Sequence, residues 1–322
     1  MTRYKFSHIF YSSEMIQAHN SQNPLPSYTL GHNSFSDMTH EEFQEYFRLG
    51  SYSPGVPSSF YGSQTNTISS YSGGSSIRGA SVSTRGLLGD EVVPKVKDWR
   101  AEGAVMSVKN QGRCGSCWAF SATGAIEGSM FVNGFKPMNL SVEELVDCDK
   151  SELGCSGGLM DSAFITEEGW KGLCSWEDYP YDAPEHPQDL VCRKSNCTSV
   201  EGSAIKSFVD LAPAKNTPCA DEDLEAAIAK QPVAVAIQAD QLAFMFYNGG
   251  VFDSDCGASL DHGVLAVGYG EEGDKKFWIV KNSWGEKWGE QGYIRIARQS
   301  EDFDAPEEGQ CGILMLASYP VV

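Results

Sequence analysis

The 322-residue chain has no apolar run approaching the roughly 18 residues that a membrane-spanning helix needs. Residues 1–30 also lack the apolar core of a secretory signal. Basic residues are scarce, 24 Lys and Arg against 43 Asp and Glu, for a net charge of −19. Such a surface disfavours nucleic acid and anionic membranes as partners. It sheds charge in acid, which is compatible with an acidic lumen. Cysteine is missing from the first third: all ten cysteines lie at or after Cys114. Their density argues for an oxidising compartment, secreted, vacuolar or lysosomal. Because that conflicts with the missing signal, we expect the start of the chain to be incomplete. The hydrophobic content, 41%, suffices for one or two packed cores, and no internal repeat is visible.

What is present centres on residues 111–120, Gln-Gly-Arg-Cys-Gly-Ser-Cys-Trp-Ala-Phe. Cys117 precedes Trp118 and an Ala-rich run that reads as a helix opening. A thiol in the first turn of a helix faces unpaired N–H groups and the positive end of the dipole, which favour the nucleophilic thiolate. Three other readings stay open on Cys114-x-x-Cys117 alone. It is half of a zinc site, which needs a second ligand pair that the His-poor flanks do not cleanly offer. It is a redox pair, which wants a βαβ context absent here. Or both thiols are in disulfides.

The longer string Cys-Gly-Ser-Cys-Trp is far more selective. Six further blocks follow the same family order: Asp98-Trp-Arg, Lys109-Asn-Gln-Gly, Gly154-Cys-Ser-Gly-Gly, Asp261-His-Gly, Val267-Gly-Tyr-Gly and Lys281-Asn-Ser-Trp-Gly. From about Val93 to Val322 the chain resembles a papain-family cysteine protease of the cathepsin L-like branch.

Residues 1–49 resemble part of that family's inhibitory prosegment. Tyr4 to His19 has helical spacing, residues 23–26 break it, and residues 28–30 look strand-like. Thr39 to Glu42 is a capping box opening a short helix with Phe43, Tyr46 and Phe47 on one side. Gly31-x-Asn33-x-Phe35-x-Asp37 fits the short prosegment motif well. The longer helical motif fits only in part, at Ile16 and Asn20, with Lys5 and Ile9 as conservative departures and Ser12 replacing an asparagine. Its leading Glu would fall on Met1, so the chain is expected to begin inside the motif. Residues 50–92 have the Ser/Gly-rich composition of a linker and maturation region. Maturation is expected between Gly79 and Val93, and residues 93–322 form the peptidase domain.

Up to about residue 200 that domain reads as mostly helical, with a second capping box at Ser141 to Glu144 and a helix over 158–169. Beyond it come strands at 233–237, 264–267, 277–280 and 293–297, and a helix at 223–230. A helical half and a β half make an α+β fold with a cleft between them. The resemblance implies a helical left lobe and a barrel-like right lobe, with Cys117 on one wall and His262 on the other.

Nucleophilic catalysis by a thiol needs a base, and the base an orienter. Of six histidines, His8, His19, His32 and His40 lie in the prosegment and His186 in a loop. His262 remains, 145 residues after Cys117. The resemblance makes Asn282 the orienter, Trp284 its shield from water and Gln111 the oxyanion-hole side chain. It implies acyl transfer through a Cys117 thioester, with Cys117 thiolate paired to His262 imidazolium. His262 then protonates the leaving amine and activates water. Gly157 and Gly158 would meet the substrate backbone. Leu159, Met160, Ala236, Leu260 and Leu316 would line the pocket for the second residue before the scissile bond (P2), with preference for Leu or Val. Asp261 and Trp284 complete the implied binding set. For each pocket residue core packing is the competing reading, nearly even for Ala236.

The resemblance also pairs Cys114–Cys155, Cys148–Cys192 and Cys256–Cys311. One more bridge among Cys174, Cys197 and Cys219, such as Cys174–Cys197, would leave one thiol over. Asn139 and Asn196 stand in glycosylation motifs, and 299–310 reads as an acidic surface loop. The function expected is an EC 3.4.22-type endopeptidase, monomeric, made as a self-inhibited precursor. It acts on proteins and peptides without metal or cofactor, on the secretory route to lysosome, vacuole or exterior. A catalytically silent relative that binds or inhibits is the alternative, against which the presence of Gln111, Cys117, His262 and Asn282 argues.

Overall fold

The computed structural model describes residues 3–47, 49, 93–168, 171–212, 217–300 and 303–322. The linker and the maturation region expected in it lie outside these residues.

The N-terminal segment contributes α1 (Arg3–Asn20), β1 (Tyr28–Leu30) and α2 (His40–Phe47). Asn20 ties α1 to β1: its amide donates to Leu30 O at 2.8 Å and accepts from Leu30 N at 2.9 Å. The α2 capping box forms in both directions, Glu42 N to Thr39 Oγ1 at 3.0 Å and Thr39 N to Glu42 Oε2 at 2.9 Å.

The helical half holds β2 (Lys97–Asp98), α3 (Trp99–Glu102), α4 (Cys117–Val132), α5 (Val142–Cys148) and α6 (Met160–Glu168). Helix α4 is apolar on every side and buried from Cys117 to Met130 except at Phe120. A helix with no polar face belongs inside a core. It packs on α5 and α6 on one side and on the sheet of the other half on the other. The Ser141 capping box is only half made. Ser141 Oγ accepts from Glu144 N at 3.0 Å, but the Glu144 carboxylate turns to Cys174 N at 2.6 Å and to Lys194 Nζ at 2.5 Å.

The β half holds β3 (Ser207–Asp210), α7 (Asp221–Lys230), β4 (Val233–Ile237), α8 (Leu242–Met245), β5 (Tyr247–Phe252), β6 (His262–Glu272), β7 (Lys275–Lys281), β8 (Tyr293–Ala297) and β9 (Ala317–Val321). Their order in the sheet is β1-β5-β8-β7-β6-β4-β9-β3, with β2 on β6. Strands β6 and β7 extend beyond the apolar runs visible in sequence, because they close as a hairpin over Gly273-Asp274, with Glu272 opposite Lys275. Strand β5 was hidden by Asn248-Gly249-Gly250, which reads as a turn. Gly250 has φ +96°, and a Cβ there would come within 2.4 Å of Ser27 O. That is how close the N-terminal segment lies: β1 pairs antiparallel with β5, Tyr28 opposite Gly250 and Leu30 opposite Tyr247. Strand β9 was hidden by Pro320, which cannot donate to a ladder.

Four disulfides are present: Cys114–Cys155, Cys148–Cys192, Cys256–Cys311 and Cys174–Cys197. Cys117 and Cys219 are free and buried. Cys114 therefore forms neither a redox pair nor a zinc half-site with Cys117. The described residues place Glu144 with Cys174 and Cys197 at metal-binding distance, but both sulfurs there are spent in the disulfide. A thiol titration of the purified chain is expected to find two reactive thiols after non-reducing denaturation and fewer in the native state. Four or more would contradict the pairing.

Candidate active site

Cys117 opens α4 and His262 opens β6. The two meet because the start of β6 lies hard against the start of α4. A Cβ on Gly263 would stand 3.2 Å from the Trp118 backbone N and 3.1 Å from the Met160 sulfur. Only a residue without a side chain admits that approach. The Gly263 and Trp118 N–H groups both point at the Cys117 sulfur.

His262 is wholly buried, and its Nε2 lies 2.7 Å from Asn282 Oδ1. Asn282 Oδ1 also accepts from Ser283 N at 2.7 Å. Two donors on one oxygen fix which way the amide faces, so Nε2 carries the proton. The remaining ring nitrogen, Nδ1, is buried with no hydrogen-bond partner among the described residues and is left with its lone pair. Trp284 stacks on the imidazole, centroids 4.8 Å apart at 26°.

Gln111 is fully buried. Its Nε2 donates to Cys114 O at 3.0 Å and its Oε1 accepts from Ser283 Oγ at 2.7 Å. The Gln111 and Asn282 loops are sewn together by Gln111 N to Ser283 O at 2.9 Å and Gly285 N to Lys109 O at 3.0 Å. Sequence reasoning missed Ser283, although it lies inside the Asn-Ser-Trp-Gly block. A hydroxyl between two site residues was the available signal.

The electrostatics differ from the thiolate expected of a helix N-terminus. Burial pushes the Cys117 thiol up to about 11, against the opposing pull of the Gly263 and Trp118 N–H groups. Burial likewise pushes the His262 imidazole down to about 4, against its bond to Asn282. At both groups desolvation thus favours the neutral form and opposes the helix dipole.

The N-terminal segment packs on Trp284, the indole that stacks on His262. Phe47 stacks on Trp284 at 4.7 Å and 22°, and Phe43 meets its edge at 5.2 Å and 87°. Phe35 adds a third ring at 6.2 Å. Beneath them Phe244 and Trp288 complete a cage around Trp284. Asn33 of the short motif donates to Met245 O at 2.7 Å.

Of the expected pocket residues, Met160, Ala236, Leu260 and Leu316 share one apolar cluster. Ala236 N donates to Leu316 O at 3.0 Å, and Ala236 lies opposite Gly263 in the β4–β6 ladder. Met160 and Ala236 are buried, Leu260 and Leu316 half-buried. Leu159 is buried outside that cluster. Gly158 lies on Trp118: a Cβ there would stand 2.6 Å from the indole. Gly157 has φ +113°. The Asp261 carboxylate turns to Ala239 N at 2.8 Å, and burial raises it to about 7.

Comparison with known proteins agrees with this geometry. A family model described as papain family cysteine protease matches residues 93–321, and one described as cathepsin propeptide inhibitor domain matches residues 3–43. Vignain of Vigna mungo is 41% identical over 316 residues, which is 97% of this chain and 78% of that protein. Germination-specific cysteine protease 1 of Arabidopsis thaliana is 40% identical over 310 residues, 95% of this chain and 74% of that one. The proform of the ragweed pollen cysteine protease Amb a 11 superposes with a TM-score of 0.83 at 34% identity, covering 100% of this chain and 89% of that one. A recombinant stem bromelain precursor gives 0.77 at 34% identity, covering 99% and 91%. With its inhibitor domain packed on Trp284, the chain belongs to the papain family of cysteine proteases and is the proform of a hydrolase.

Proposed function

We propose that Cys117 and His262 hydrolyse peptide bonds through a thioester, once the prosegment has left the cleft. Removal of the prosegment admits water, so the thiol falls and the imidazole rises from their values in the proform. The Cys117 proton then passes to the free Nδ1 of His262. The thiolate attacks the peptide carbonyl carbon. The resulting oxyanion is held by the Cys117 backbone N–H and a Gln111 Nε2 hydrogen, an interaction worth about 3 kcal/mol per donor in comparable sites. His262 gives its proton to the leaving amine, then takes one from the water that cleaves the thioester. Asn282 holds the ring in the tautomer that exposes Nδ1, and Trp284 keeps water from that bond. The observation that carries this reading is the 2.7 Å bond from His262 Nε2 to Asn282 Oδ1, with Nδ1 left without a partner among the described residues and the next residue, Gly263, against the Trp118 backbone.

The P2 pocket of this reading is apolar, formed by Met160, Ala236, Leu260 and Leu316, and takes Leu or Val. A Leu316→Glu variant is expected to raise the ratio of kcat/KM for P2-Arg over P2-Leu dipeptidyl substrates at least tenfold, since a carboxylate would then meet the guanidinium. An unchanged ratio would remove Leu316 from the pocket. Four disulfides support maturation in an oxidising compartment of the secretory route. Asn196 is exposed and suits a glycan. Asn139 is half-buried, with its Oδ1 accepting from Lys109 Nζ at 2.7 Å and its Nδ2 left for a glycan.

The test is hydrolysis of a fluorogenic P2-Leu or P2-Val dipeptidyl-Arg substrate at pH 5.5 with reductant, before and after acid incubation. Activity that appears on incubation supports a self-inhibited protease. A folded chain that stays inactive would favour a silent binding relative.

A further inference from the structure

The amide that orients His262 has a second end. Asn282 is 3% exposed, and its Nδ2 is buried with no hydrogen-bond partner among the described residues. Thr123, nearly two turns into α4, is 2% exposed, and its Oγ1 is buried and equally unpartnered among the described residues. The two belong to different halves of the molecule, yet both line one partly open pocket with about 20 Å³ of room for water. Glu127 and Lys281 line it too. One oxygen of Glu127 is taken by Leu140 N at 2.9 Å. Burial pushes the Lys281 ammonium down to about 8, with Glu127 pulling it up and Lys109, also in the lining, pushing it down.

A pocket of that size admits a single water, and a buried water normally has two to four polar partners. The four groups here balance one. Asn282 Nδ2 and the Lys281 ammonium donate; the Thr123 oxygen and the Glu127 carboxylate accept. We propose that an ordered water bridges Asn282 Nδ2 to Thr123 Oγ1 in this pocket, making Thr123 a positioning residue for the His262–Asn282 pair. The inference rests on the catalytic reading above. Its physical content is amide orientation. A flipped Asn282 would aim its NH2 at the protonated Nε2 of His262 and at Ser283 N, donor against donor. A water that accepts from Nδ2 rewards the productive orientation, and Thr123 holds that water from the opposite lobe. The same water couples the packing of α4 against the strand end at Lys281 to the aim of the imidazole.

The test combines one structure with two variants. Valine has the shape of threonine without the hydroxyl, and the Thr123 hydroxyl holds nothing else in the described residues, so Thr123→Val is expected to fold with an unchanged Tm. A crystal structure of the full chain is expected to hold an ordered water within hydrogen-bond distance of Asn282 Nδ2 and Thr123 Oγ1, and that of Thr123→Val to lack it. After acid activation, Thr123→Val is expected to lose about tenfold in kcat at unchanged KM, and Thr123→Ser to keep the wild-type kcat. An Asn282 Nδ2 that bonds a protein oxygen with no water in the pocket would overturn the inference. So would a Thr123→Val enzyme of wild-type kcat. An inactive wild-type chain with the water in place would overturn the protease reading and, with it, the positioning role, while the water site itself would stand.

Discussion

Cys117→Ala is expected to abolish peptide hydrolysis, lowering kcat by at least about 10⁵-fold, while the chain folds, secretes and binds its own prosegment as before. Removing the nucleophile of a unit that acts together costs nearly the whole chemical step. No other thiol can substitute: Cys219, the other free cysteine, is buried, its N–H is held by Leu314 O at 2.9 Å, and burial pushes its thiol up to about 12. The structural cost is small, since one buried sulfur is lost and the hydrophobic environment keeps a methyl, a change of about 1 kcal/mol. The variant should therefore accumulate as unprocessed precursor. Wild-type activity in Cys117→Ala would remove the thioester mechanism.

The second large effect concerns the prosegment. Phe43→Ala together with Phe47→Ala is expected to yield a chain that is active at neutral pH without acid incubation. Phe43 is 0% and Phe47 1% exposed, and both rings rest on Trp284. Truncating a buried Phe to Ala typically costs 3–5 kcal/mol. The rings touch each other at 5.4 Å, so the double change costs less than twice that. Even one such loss corresponds to a weakening of docking by about two to three orders of magnitude. The consequence reaches the chemistry because the same indole stacks on His262. Without the rings the imidazole regains water, its value rises from about 4, and the Cys117 thiol falls from about 11. A double variant as latent as the wild type would show that the aromatic contact is not what silences the cleft, and would shift attention to the β1–β5 pairing.

Much of this arrangement could be read from residues alone, and the unread parts have definite physical causes. Cys117, His262 and Asn282 stand in short blocks whose neighbours are dictated by geometry. Trp284 covers the imidazole, and Gly263 lets β6 approach α4. Capping at Thr39 was legible because it is local. The half-made cap at Ser141 was not, because Cys174 and Lys194 compete for the Glu144 carboxylate from 30 and 50 residues away. Strand β5 was unreadable for a related reason. Its Gly249-Gly250 signals a turn in isolation and joins a strand whose two neighbours, β1 and β8, come from distant parts of the chain. The burial that opposes a thiolate at Cys117 was not legible, because the helix terminus is visible in sequence and the depth of burial is not. Of the bridge among the extra cysteines, the pairing of Cys174 with Cys197 needed three dimensions to exclude Cys219.

The central claim is that Cys117 is a competent nucleophile held silent by a docked prosegment. The most direct measurement is labelling of the full chain by an epoxide thiol trap, with the adduct located by peptide mass mapping, before and after acid incubation. The account predicts no adduct before incubation and a single adduct at Cys117 after it. An adduct at Cys117 in the untreated precursor would contradict the silencing, and a folded, acid-treated chain with Cys117 still unmodified would contradict the nucleophile.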